Sequence, residues 1–317
     1  MNSLLFFLFL PIAFVFSLLV IPLLKKIAVK FRCYDDPTGD VLKIHQKPIP
    51  YLGGIGIFVG FGAGLVVARL FHQVSGLQSL GLLLGSIIIL FLGFWDDSKW
   101  KKSVNPFIKL FCQFLAGTFI VLILIKIGVN FHFSIYPLLA SIIAGFYIVG
   151  AMNALNMQDG MDGLAGSVTI VSLIGFIVLS ITQGNIFALI ISLCLLGGII
   201  GFLIFNWRPA SIFMGDSGSH FLGFLLAILT ITFSGHPLYN LKQFIGPILI
   251  IGLPIIDAFW AIARRLSRRQ SPFYGDRGHL YDRLHTKGLS IQKTVLICCL
   301  IQGMIVISGI LIYLSKL

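Results

Sequence analysis

Apolar stretches of about 20 residues, the length an α-helix needs to cross the hydrocarbon core of a bilayer, recur along this whole 317-residue chain without a long polar insert. Ten can be read, at about 3–24, 51–71, 78–94, 106–127, 135–153, 163–182, 186–205, 218–234, 242–262 and 291–313. The expected fold is an all-α integral membrane protein of about ten transmembrane helices, one polytopic domain over residues 1–317. Composition agrees: 11% of the residues are charged, against roughly 25% in soluble domains, and the mean hydropathy is +1.00. The first stretch has no basic leader, and its apolar run is longer than the roughly 7–15 residues of a signal peptide. It reads as a retained first helix.

A net charge of +12 invites a nucleic-acid partner, but the distribution of charge argues against one. Ten spans leave five loops on one side, near residues 25–50, 95–105, 154–162, 206–217 and 263–290. With Lys109 and Lys293 just inside adjoining helices, that side carries 19 of the 23 Lys and Arg. By the positive-inside rule it is the cytoplasmic side, and both termini face out. The chain has no Glu, and all 11 Asp lie on or near the same face. Acidic residues contribute little to orientation, so their one-sidedness points to a site, with neutralisation of neighbouring basic residues as the plain alternative. Five cysteines, Cys33, Cys112, Cys194, Cys298 and Cys299, show no metal-ligand spacing and read as packing residues.

The polar loops carry the rest of the signal. "GFWDDSKWKKSVNPFIK" (93–109) places Asp96 and Asp97 directly after an apolar span, where a divalent cation or Lys99, Lys101 and Lys102 would relieve their repulsion. "NALNMQDGMDGLAG" (153–166) contains no Lys or Arg. Its Asn153, Asn156 and Asp159 share a broad face if the fifth helix runs on, while Gly160 and Gly163 allow a tight turn against a ligand. Its oxygens suit a hard cation and its amides a nucleotide, or the stretch is helix packing and a turn. "FNWRPASIFMGDSGSHFLGF" (205–224) ends with Asp216 among small residues at a helix start, which favours phosphate binding or an ordinary N-cap. "KIHQKPIPYLGG" (43–54) is a rigid Pro-Gly loop. The last loop, 264–290, concentrates seven Lys or Arg with His279 and His285, suited to anionic lipid headgroups or to an anionic substrate.

Taken in order, "PIPYLGG", "DDSK", "NALNMQDGMDGLAG", "FNWRPASIFMGDSGS" and "DRGHLYDRL" resemble the polyprenyl-phosphate N-acetylhexosamine-1-phosphate transferase superfamily over nearly the whole chain. That superfamily includes undecaprenyl-phosphate GlcNAc-1-phosphate transferases and phospho-N-acetylmuramoyl-pentapeptide transferases. The resemblance implies an enzyme of the bacterial inner (cytoplasmic) membrane with a cytoplasmic active site. It implies Mg²⁺, with Mn²⁺ as a substitute, a UDP-N-acetylhexosamine donor and a polyprenyl (undecaprenyl) phosphate acceptor. The product would initiate a cell-envelope glycan. Asp96 matches the proposed base, Asp97 its partner near the metal and Asp216 the metal ligand. Asn156, Asp159, Asp162 and the Gly160 backbone match the nucleotide wall and Phe213 an aromatic that stacks on uracil, with Asn153 a further substrate-binding candidate. Lys47, Asn206, Arg277 and His279 are further substrate contacts. Members commonly dimerise, so a homodimer is a further expectation from the resemblance.

Two departures stand out. Where members often carry "HxHH", this chain reads "HLYD", so Tyr281 and Asp282 replace two histidines in a loop that helps set sugar specificity. Lys99 sits one position earlier than the "DDxxK" spacing of the muropeptide enzymes. The first favours a GlcNAc-type donor over the muramoyl-pentapeptide, and the second weakens the transfer of a role to Lys99. A transporter is the rival reading, but its site is expected near mid-membrane, whereas these Asp cluster at one interface. Other Mg²⁺-dependent membrane phosphotransferases and prenyltransferases use Asp spacings absent here.

Overall fold

The structure, a computed structural model, describes residues 3–38, 45–98, 105–129, 136–235 and 240–315. Lys99, Lys101 and Lys102 lie outside the described residues. A 3-10 turn (Ser3–Leu8) leads into α1 (Phe9–Phe31), and an antiparallel ribbon of β1 (Tyr34–Asp35) and β2 (Ile49–Pro50) follows. The remaining elements are α2 (Gly53–Leu70), α3 (Gly76–Ser98), α4 (Pro106–Lys126), α5 (Pro137–Gln158), α6 (Leu164–Gln183) and α7 (Ile186–Asn206). After them come α8 (Gly215–Phe233), α9 (Leu241–Ile250), α10 (Gly252–Ser267), α11 (Leu280–Thr286) and α12 (Ile291–Leu314). Among the described residues nine helices are long and apolar enough to cross a membrane, ten if α9 and α10 count as one span.

The helices begin where the chain supplies a cap. The side chains of Asn105, Asn185 and Ser290 accept the Phe107, Ala188 and Lys293 N–H groups at 3.0, 3.0 and 3.3 Å, filling donors that a helix start leaves open. Proline takes the opening position of α4 and α5, where its missing N–H costs nothing. Close packing follows from small residues, since lipid-embedded helices associate by letting their backbones approach. A Cβ on Gly60 would lie 2.5 Å from the Ala13 carbonyl, and one on Gly198 2.8 Å from that of Ile57, so α1, α2 and α7 form a tight group. At the centre stands α8, with 94% of its apolar window buried, while α1, α4 and α12 line the perimeter at 28% each.

The continuous span expected at 242–262 is corrected by the structure: α9 and α10 meet at 86° across the break at Ile251. Pro254 explains the break, because it has no N–H to offer the Ile250 carbonyl one helical turn back. Gln302, fully buried on α12, supplies the missing partner. Its amide donates to the Ile250 carbonyl (2.7 Å) and to Ser172 Oγ (2.8 Å), and its Oε1 accepts the Leu253 N–H (2.9 Å). After the bend α10 packs against α5 and α12, burying Leu253, Asp257, Ala258 and Ala261, while Phe259 and Trp260 on its outer face are exposed.

Candidate active site

Backbone approach brings the Asp pair to Asp216. A Cβ at Gly93 would lie 2.6 Å from both the Asp216 carbonyl and the Ser217 nitrogen, so only glycine lets α3 pass this close to the start of α8. One turn beyond Gly93, Asp97 places Oδ2 3.4 Å from the Ser217 N–H. Gly215 has φ +73°, and a Cβ there would fall 2.7 Å from both Asp97 Oδ2 and the Tyr51 carbonyl, so this position excludes a side chain on two counts. Asp96, expected in the same site, does not line the cavity described below. It is buried and ion-paired with Lys109 of α4, and its carboxyl also interacts with that of Asp216.

The turn between α5 and α6 forms the opposite wall. The fifth helix runs past its expected end at 153 to Gln158, which turns Asn156 toward α8. The Asn156 amide donates to Asp216 Oδ1 at 2.7 Å and to Ser219 Oγ at 3.0 Å. Asn206 Oδ1 accepts the N–H of Gly163, which sits at φ +75°, at 3.0 Å. Its amide donates to the Ile212 carbonyl at 2.9 Å. Asp162 Oδ2 accepts Arg208 Nη1 and the Ala210 N–H, each at 3.1 Å. Asn206 and Asp162 thus lock the turn to the 206–214 loop.

The first loop closes the site through backbone bonds. Gly53 and Gly54 donate to the Phe213 and Met214 carbonyls (2.9 and 3.0 Å), and Phe213 donates to the Pro50 carbonyl (2.7 Å). These bonds dock the ribbon beside α8. His45 pairs with Asp35 (Nε2 to Oδ2, 3.0 Å), and its ring meets Phe213 edge-on at 5.2 Å.

These elements enclose a cavity of about 240 Å³ at the helix ends. Asp97, Asn156, Asp159, Gly160, Asp162, Asn206, Phe213 and Asp216, all singled out from the sequence, line it. Asp35, His45, Tyr51, Met161 and Gly215 line it too. His45 and Tyr51 were within sight in "KIHQKPIPYLGG", but the ribbon pairing that carries Asp35 inward leaves no periodic trace. Lys47 is exposed beside the cavity and does not line it. Asn153 faces into the bundle, donating to Gln113 Oε1 and the Val149 carbonyl, each at 2.8 Å.

The last loop stands behind this cavity. His279 is buried, with Nδ1 2.8 Å from Asp257 Oδ2, and the other oxygen of Asp257 accepts the Leu280 N–H at 2.9 Å. Arg264 and Arg265 both bind Asp276, with Nη2 2.8 Å from Oδ2 and Oδ1 respectively. Partial burial pushes the Asp276 carboxyl up, but hydrogen bonds and charge from Arg265 and Arg264 outweigh it and hold the group below the usual carboxylate range. Arg277 lines a second cavity of about 570 Å³ with Trp260, Arg264, Arg268 and Arg283. The two cavities share no lining residue.

Residues 79–234, which carry α3 through α8 and most of the cavity wall, match the family model of glycosyl transferase family 4. A protein of Bacillus subtilis (strain 168) named "Probable undecaprenyl-phosphate N-acetylglucosaminyl 1-phosphate transferase" is 32% identical over 95% of this chain and 84% of its own. The phospho-N-acetylmuramoyl-pentapeptide-transferase of Streptococcus sanguinis (strain SK36) is 30% identical over 70% of this chain and 72% of its own. That of Streptococcus pneumoniae serotype 19F (strain G54) is 32% identical over 69% and 71%. The motifs, the many apolar helices that make this a multi-pass membrane protein, and these relatives converge: the chain belongs to glycosyl transferase family 4, within the polyprenyl-phosphate N-acetylhexosamine-1-phosphate transferase superfamily.

Proposed function

We propose that the protein transfers an N-acetylhexosamine 1-phosphate, GlcNAc-1-phosphate first among them, from a UDP-sugar to undecaprenyl phosphate, releasing UMP and initiating a cell-envelope glycan. The observation that carries this reading is the shared cavity: the Asp97 end of α3, the 156–162 turn and the Asp216 start of α8 meet there. The likeness to the Bacillus subtilis protein covers 95% of the chain, so it takes in every one of these elements. The positive-inside distribution supports placing the cavity on the cytosolic side, where nucleotide sugars are available.

In the reaction, an oxygen of the lipid phosphate attacks the sugar-bearing phosphorus of the donor. The bond from that phosphorus to the bridging oxygen breaks, and UMP leaves with the electron pair. One phosphoanhydride replaces another, so no ATP is needed. The tasks left to the protein are holding two anions together and stabilising spread phosphoryl charge. Asp97 and Asp216 supply hard oxygen donors that fit Mg²⁺, or Mn²⁺ in its place. Among the described residues no group of three or more His, Cys, Asp or Glu could hold a metal ion, so a Mg²⁺ here would rest on one or two carboxylates together with water and substrate phosphates. When bound, the ion would supply charge stabilisation at the phosphates. Asn156 holds Asp216 in place, and the Lys109 partner of Asp96 tempers the negative charge behind the pair.

The test is UMP release by purified protein with Mg²⁺, undecaprenyl phosphate and a panel of UDP-sugars that includes UDP-N-acetylmuramoyl-pentapeptide, with tunicamycin as a probe. Release from a UDP-N-acetylhexosamine, lost in EDTA and nearly abolished by Asp97→Asn or Asp216→Asn, is expected. Full activity in EDTA or in the double substitution contradicts the mechanism, and exclusive use of the muramoyl-pentapeptide donor overturns the sugar assignment.

A further inference from the structure

Tyr281, one of the two residues that depart from the usual histidines of the last loop, packs behind the cavity wall at Gly160 without lining the cavity. It lies in the first turn of α11, 6% exposed, packed among Met161, Leu164, Leu253 and Val295. Its Oη donates to the Met157 carbonyl at 3.2 Å. Its ring lies directly against Gly160: the three atoms nearest a Cβ built there all belong to Tyr281, with Cζ at 2.7 Å and Cε2 at 2.9 Å. Gly160 is not among the glycines of positive φ. What forbids a side chain at 160 is therefore the tyrosine ring and not the backbone conformation.

The ring itself is held from behind. It stacks parallel to the His279 imidazole, at 5.6 Å between centroids and 4° between planes, and Asp257 of α10 fixes both that imidazole and the Leu280 N–H. A continuous path thus runs from α10 through Asp257, His279 and Tyr281 to the 157–160 turn, whose Asp159 and Gly160 face the cavity. On the other side of that turn Asn156 grips Asp216. Burial and the neighbouring carboxylates of Asp282, Asp257 and Asp159 push the Tyr281 hydroxyl well above its usual range, so it remains a donor.

We propose that Tyr281 is a positioning residue for donor binding: it sets the 157–160 turn, so the last loop acts on the nucleotide sugar indirectly, through the back of the cavity wall. This rests on the reading of the cavity as a UDP-sugar site. Tyr281→Phe removes the bond to Met157 and keeps the ring. It is expected to raise the KM for the UDP-sugar about three- to tenfold, the worth of one hydrogen bond, with a smaller fall in kcat and no shift in the KM for undecaprenyl phosphate. A fall in kcat alone, a rise in both KM values together, or kinetics identical to the parent overturns the proposal.

A melting-temperature cycle in detergent tests the contact without any turnover. Gly160→Ala should lower the melting temperature in the parent, and should lower it much less in a Tyr281→Ala background, whatever that second change costs by itself. Strictly additive losses overturn the proposal. If the parent protein releases UMP from no UDP-sugar, the functional reading fails by itself, and the melting cycle still decides whether Tyr281 sets the turn.

Discussion

Asn156 ties the two walls of the cavity together, holding Asp216 Oδ1 at 2.7 Å and Ser219 Oγ at 3.0 Å with one amide. On the proposed role of Asp216 as a Mg²⁺ ligand, Asn156 is the side chain that orients it, an arrangement commonly worth about 10- to 100-fold in activity or metal affinity. Asn156→Ala is therefore expected to cut UMP release within that range and to raise the Mg²⁺ concentration needed for half-maximal rate; a normal rate at low Mg²⁺ would show that Asp216 holds its position unaided. Asp162 lines the same cavity, but its Oδ2 is engaged by Arg208 and the Ala210 N–H. Hydrogen bonds involving a charged group contribute roughly 1.5–3 kcal/mol, so Asp162→Ala should lower the melting temperature clearly more than it changes the KM for the donor. An unchanged melting temperature with a raised KM would reverse that assignment. Residue spacing alone could not separate these roles. "NALNMQDGMDG" shows which oxygens are near one turn, while the direction of each depends on Arg208 and Ser219, 46 and 63 residues downstream of Asp162 and Asn156.

The nine long spans were legible because each is a single apolar run, and the bend between α9 and α10 was not, because average hydropathy does not register a missing N–H. Pro254 was the available signal, yet a proline inside an apolar helix can kink gently or break it. What decides is whether another helix can satisfy the freed groups, and Gln302 of α12 does so at both Ile250 and Leu253. Each buried backbone group left without a partner costs roughly 1–3 kcal/mol. Gln302→Leu fills similar volume and strands both, so the expected result is a markedly lower melting temperature and faster hydrogen exchange at the start of α10. Loss of donor binding should follow, since Asp257 on α10 anchors the loop behind the cavity. A variant as stable as the parent would mean that water reaches the break. The ribbon of β1 and β2 was equally hard to read, since two residues per strand are too few for any alternation to show.

For the molecule as a whole, the arrangement demands one orientation. The cavity lies at the end of the bundle where α3 and α5 finish and α2 and α8 begin, and the loops at that end carry most of the Lys and Arg. Positive loops are retained on the cytoplasmic side, so Gln183, at the end of α6, should face the exterior, and Lys287, just after α11, the cytosol. Both residues are exposed, so thiols introduced there can be labelled. In a background without the five native cysteines that still releases UMP, a membrane-impermeant maleimide should label Gln183→Cys in intact spheroplasts. It should label Lys287→Cys only after permeabilisation. The opposite pattern would turn the cavity outward, away from cytosolic nucleotide sugars, and would undo the functional reading even if the fold stood. Labelling of both positions in intact spheroplasts would instead mean a chain inserted in two orientations. The strong excess of positive charge on one side argues against that, because the imbalance of Lys and Arg across the short loops is what selects a single topology.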